Sequence, residues 1–164
     1  MTRTPIDALA IAGDLTKPSD GEAPRCFQTA DALRADLASI PPTRRRLRAF
    51  LCRSGLGEIA DMAALLSTEL LANAVTHGCS EFPPKTEVTM TATYDGQRLR
   101  LAVHDPSDSQ PCLRAASEDQ EHGRGLMLVA SLADRWGVTA KAKGTGKSVW
   151  LELECSSSQS EEGL

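Results

Sequence analysis

Over residues 58–77 the apolar positions recur at helical spacing: Leu66, Leu70 and Ala74 form one i, i+4 row, and Leu71 and Val75 another. This predicts a long helix, and Gly78 just beyond it suits the left-handed position that terminates helices. Upstream, Leu47, Phe50 and Leu51 repeat at the same spacing after Pro41 and Pro42, with arginines on the other side and a glycine following. A further helix is predicted there, and "RCFQTA" before it reads as a short first strand. The period then changes to two. "TEVTMTATY" and "RLRLAVH" each alternate and are joined by Asp-Gly, which predicts a β-hairpin. "GRGLMLVASLAD" opens with glycines and becomes a helix, and "WGVTAKA" and "SVWLELE" form a second hairpin around a glycine turn. Helices interleaved with hairpins predict an α/β fold, a two-layer sandwich of helices on one face of a mixed, largely antiparallel sheet.

Outside these elements the pattern fades. Residues 1–24 and the acidic, serine-rich residues 156–164 lack any period and read as mobile tails around one folded unit, residues 25–155. Residues 106–122 are polar and without apolar period, a loop longer than most connections and so a candidate lid. A chain of 164 residues, 41% hydrophobic and 24% charged, is large enough for one domain with a real core.

Net charge narrows the partners. At -4 the chain lacks the general basic field of a nucleic-acid binder, so no direct nucleic-acid partner is expected. Arg44, Arg45, Arg46, Arg48 and Arg53 are a local exception; such a face is usually solvated, with a partner surface or salt-dependent DNA binding as the rival readings. The apolar start "IDALAIAG" is interrupted by Asp7 and is far too short to span a bilayer, so no membrane partner and a cytoplasmic location are expected. Five cysteines, an odd number with no C-x-x-C pair, encode neither a disulfide framework nor a zinc site.

Candidate chemistry sits at three places. "KGTGKSVW" looks like the end of a phosphate-binding loop, but a Walker loop needs glycine at position 141, which is lysine, and a strand rather than a helix follows. Along "ELLANAVTHG", Glu69, Asn73 and His77 recur every four residues, each step drifting only about 40° around the axis, and so form a polar stripe beside the apolar rows. Asp105 ends a strand, where a carboxylate can accept from a ligand amino group or simply form a turn before Pro106. Gly123 and Gly125 flank Arg124 at the start of a helix, whose free N–H groups favour phosphate.

Taken in order, E-x-x-x-N on a helix, aspartate at a strand end, a long loop, G-x-G-L opening a helix and a glycine turn into a last strand resemble the Bergerat or GHKL ATP-binding fold of gyrase, Hsp90, histidine kinases and MutL. "ELLANAVTHG", "VHDPSDSQP", "GRGLMLV" and "GKSVW" are most similar to its small single-domain branch, the anti-sigma factor serine/threonine kinases of the RsbW and SpoIIAB kind in their actinomycete form. The resemblance covers residues 25–154. It implies ATP and Mg²⁺ as cofactors, with Asn73 coordinating Mg²⁺, Asp105 reading the adenine amino group, and Gly123, Arg124, Gly125 and Leu126 supplying the phosphate-facing helix start. It further implies Ser148 as a hydroxyl helping the aspartate hold adenine, and Glu69 as general base toward a protein hydroxyl. The implied partners are a sigma factor and a STAS-type anti-sigma factor antagonist, within a homodimer. "DPSDS" departs from the wider fold's D-x-G-x-G, which leaves a non-catalytic nucleotide-binding regulatory module as the alternative.

Overall fold

The computed structural model describes residues 24–108, 124–141 and 144–155. Within them the chain forms β1 (Phe27–Arg34), α1 (Ile40–Arg53), α2 (Gly57–Asn73), a π-helical turn (Ala74–Gly78), β2 (Glu87–Tyr94), β3 (Arg98–Asp105), α3 (Arg124–Leu132), β4 (Arg135–Ala140) and β5 (Lys147–Glu154). The strands make one sheet in the order β1-β2-β3-β5-β4. The expected α/β sandwich is present, but among the described residues its sheet is wholly rather than largely antiparallel. The connections explain this. β3 and β4 share a direction because each runs antiparallel to β5, and β5 lies between them. Of the expected lid only residues 106–108 are described, and residues 1–23, Cys112, Gly123 and the C-terminal tail fall outside.

Alternation sets the register of each strand. In β2, Val88, Met90, Ala92 and Tyr94 are buried while the residues between them are not, so the strand presents one face to the helices. The Asp95 carboxylate accepts from the N–H groups of Gln97 and Arg98 and closes the first hairpin. Gly144 and Gly146, at φ 92° and 119°, turn the second. β1 is longer than the sequence pattern indicates, because backbone pairing with β2 along its whole length extends it beyond its short apolar signal. Phe27, meeting Phe50 edge to face at 4.9 Å, ties that outer strand to α1.

α2 is the central helix. It packs against α1 and α3 and lies on β3 and β5. Leu66, Leu70 and Leu71 are fully buried there, each worth about 1.5–3 kcal/mol relative to exposure. The segment Gly57–Gly78 is long and apolar enough to cross a bilayer, yet these leucines are the ones that complete the protein's own core against Leu101, Val103, Val149 and Leu151. α1 carries Pro41 and Pro42 in its first turn and ends ahead of Gly55 at φ 82°. Its arginines lie on an exposed face, where Arg46 pairs with Asp31 and Arg48 with Asp61. Both arginine side chains are more than half exposed, so solvent screens each pair and neither adds much to stability.

The end of α2 differs from its sequence pattern. Gly78 does not take a left-handed conformation; the helix widens instead into the π turn. His77, within this turn, is exposed, whereas Glu69 and Asn73 are half-buried.

Candidate functional site

The chemistry gathers where β3 ends and β5 begins. In β3 the core-facing parity runs Leu99, Leu101, Val103, and Asp105 is the next member. Period two therefore drives a carboxylate into the helix-facing side, where it is 2% exposed. Its register partner is Lys147, which shares parity with Val149, Leu151 and Leu153 and is 5% exposed. The Lys147 ammonium donates to Asp105 Oδ1 at 3.0 Å, and the Ser107 N–H donates to the same oxygen at 2.9 Å. Among the described residues, buried Asp105 Oδ2 has no hydrogen-bond partner.

An unpaired buried carboxylate oxygen costs about 1–3 kcal/mol or more, and native structures keep few of them unless a ligand supplies the missing donor. The surroundings reinforce this. The Asp105 carboxylate lies against Gly78, where an added Cβ would stand 2.5 Å from Asp105 Cγ. Glycine is needed at position 78 for room, then, and not for backbone conformation. The sequence pattern could not show that, since the crowding carboxylate is distant in the chain.

Glu69 and Asn73 are half-buried one turn apart on α2. A Cβ at Gly125 would stand within 2.4 Å of Glu69 Oε2, so the glutamate carboxylate rests at the first turn of α3, beside its positive dipole end. Leu126 then turns inward and is buried, anchoring that helix start. Asn73 precedes the π turn that carries Gly78 to Asp105, and its side chain makes no capping bond. Arg124 opens α3.

The two glycines should behave differently when filled. Gly78→Ala pushes on a carboxylate fixed by two hydrogen bonds, and overpacking of this kind costs about 1–3 kcal/mol. Gly125→Ala meets the free end of a flexible glutamate, which can swing aside, and the helix preference of alanine adds back up to about 1 kcal/mol. Urea denaturation is expected to show a clear loss for Gly78→Ala and almost none for Gly125→Ala.

Ser148 is not brought to Asp105. Its register partners are His104 and Thr139, and alternation places it on the outer side of the sheet with Trp150. Lys147 stands in its place, one residue earlier. The signal was available: Val149, Leu151 and Leu153 already mark the inward parity, and Lys147 belongs to it. On the outer side Arg100 stacks over the Trp150 ring at 3.9 Å and pairs with Glu152.

Cys79, one of the five cysteines that encode neither a disulfide framework nor a zinc site, also lies here. Its thiol is buried beside the ion pair; burial pushes its pKa up, the Asp105 charge pushes it further, and Lys147 partly offsets both. The thiolate is what reacts with alkylating reagents. In the folded protein, iodoacetamide at neutral pH should modify exposed Cys26 and Cys52 well before Cys79, as peptide mass mapping would read out.

No three His, Cys, Asp or Glu side chains gather as a metal cage among the described residues. Asn73 offers a single oxygen, which suits an Mg²⁺ that takes most of its ligands from phosphates and water. The residues present thus suit a nucleotide with its metal in their chemistry: an unpaired buried acceptor at one end and a helix start at the other.

Comparison with curated proteins finds no match. The family model described as the histidine kinase-like ATPase domain matches residues 33–153, from the end of β1 almost to the end of β5. With that extent matched, and with an antiparallel sheet backing the helices, the chain belongs to the histidine kinase-like ATPase domain family.

Proposed function

We propose that this domain binds Mg-ATP and transfers its terminal phosphoryl group to a serine or threonine of a partner protein, as an anti-sigma factor kinase working by partner switching. The observation that supports nucleotide binding most directly is the Oδ2 of buried Asp105, unpaired among the described residues, which would accept from the exocyclic amino group of adenine. Asn73 would hold Mg²⁺, which offsets the charge on the phosphate oxygens. The first turn of α3, with Gly125 and Leu126, offers backbone N–H groups to the phosphates.

Glu69, which lies against Gly125 at the same helix start, would orient the attacking hydroxyl and accept its proton. An ordinary carboxylate is a weak base toward an alcohol, but phosphoryl transfer through a loose transition state asks mainly for positioning. The assignments of Asn73, Asp105 and Glu69 join the resemblance of the sequence motifs to the placement of these side chains at adjoining element ends. In this scheme the protein works in the cytoplasm as a homodimer, sequesters a sigma factor, and releases it according to the phosphorylation state of a STAS-type antagonist.

A second reading has its own support. The turn after Asp105 is tied down, with Ser107 N–H on Asp105 and Asp108 accepting from Gly146 N–H at 2.7 Å, where the wider fold carries flexible glycines. A tied turn suits a binding module that uses nucleotide only to tune protein affinity. One experiment separates the two: incubation with γ-labelled Mg-ATP and the antagonist. Label on an antagonist serine or threonine is expected; nucleotide binding without label transfer would favour the module instead.

A further inference from the structure

We propose that Lys147 is a base-reading residue: its ammonium donates to the N1 ring nitrogen of adenine while Asp105 Oδ2 accepts from the adjacent amino group. This rests on the nucleotide reading above and goes beyond it by assigning the base edge a second, cationic contact. Buried lysines are rare unless paired, and this one is paired with only part of its capacity. Of its three donors, one goes to Asp105 Oδ1 at 3.0 Å; among the described residues the other two have no hydrogen-bond acceptor. On the same carboxylate lies Oδ2, an acceptor with no donor among the described residues. The pair is thus incomplete in a complementary way.

A ligand that completes it must present a donor next to an acceptor along one flat edge. Adenine does so with its amino group and N1. Gly78 packs directly against the carboxylate, where a Cβ would not fit, and so helps to fix the acceptor in place. Ser148, one residue on, points to the other side of the sheet and cannot make this contact.

The test compares ATP with 1-deaza-ATP, which keeps the amino group and replaces N1 by C–H, in calorimetric titrations of the wild-type protein with Mg²⁺ present. A lost hydrogen bond to a charged donor corresponds to roughly a 10- to 100-fold weaker binding of 1-deaza-ATP. Lys147→Met should bind ATP more weakly and no longer distinguish the two nucleotides. Equal affinities in the wild type would overturn the proposal, as would discrimination that persists in Lys147→Met. The wild-type comparison stands even if that variant does not fold. Failure of the wild type to bind either nucleotide would bring down the nucleotide reading itself, a result distinct from binding both alike.

Discussion

Asp105→Asn should weaken Mg-ATP binding by about 100-fold and lower the melting temperature by about 10 °C. The two effects share one cause. Asparagine keeps the size of the side chain but removes its charge, and the Lys147 ammonium, with a side chain only 6% exposed, loses its counter-ion. Removing one partner of a buried ion pair costs about 3–5 kcal/mol, because the remaining charge stays out of water. On the ligand side, the atom that replaces Oδ2 is either a neutral carbonyl or an amide N–H facing the amino group of the base. Both are poorer, and the second is repulsive.

A double variant separates stability from recognition. Asp105→Asn with Lys147→Met removes both charges, so most of the lost stability should return by the same desolvation logic. Nucleotide affinity should not. Thermal melts followed by near-UV circular dichroism, with titrations run well below the transition, measure each part. An Asp105→Asn protein that binds Mg-ATP within a few-fold of wild type would remove this carboxylate from the site.

Most of the fold was legible because its elements bury one face each. The i, i+4 rows of α2 end up fully buried at Leu66, Leu70 and Ala74, and the alternation of β2 and β3 is the alternation of their buried residues. Both periods are local and survive any tertiary arrangement. Asp105 was legible for a related reason, since it continues the inward parity of its strand with a charged residue.

What was not legible depends on partners distant in sequence. Lys147 and Asp105 meet across 42 positions through the pairing of β5 with β3, a register that no window along the chain contains. A motif match at the glycine turn drew Ser148 instead, one residue off, and a slip of one residue in a strand reverses the face. Gly78 has the same lesson in a helix. A glycine after an apolar run fits the common left-handed ending, whereas here the carboxylate of Asp105 requires it. The π turn that follows Asn73 has no signature in the residue pattern, and neither does the exposure of His77 within it.

Glu69→Gln should cut phosphoryl transfer to the antagonist by about 100-fold while changing Mg-ATP affinity by less than about 3-fold. The substitution is nearly isosteric, so the close approach between this side chain and Gly125 is kept. Stability should fall only by the loss of a charge at the start of α3, about 0.3–1 kcal/mol. In the proposed kinase reaction turnover is hit harder because the carboxylate would align the hydroxyl and take its proton only as the bond to phosphorus forms. An amide can still offer an oxygen, which is why the loss belongs at the lower end of the range for acid–base residues: in a loose transition state little proton transfer has occurred. Glu69→Asp distinguishes position from charge. It keeps the carboxylate but draws it back by one methylene from the helix start, so a positional role predicts a loss comparable to that of Glu69→Gln. Single-turnover transfer of labelled phosphate, paired with nucleotide titration, measures both quantities. Undiminished transfer by Glu69→Gln would assign the carboxylate to packing at α3, and an equal fall in affinity would assign it to nucleotide binding.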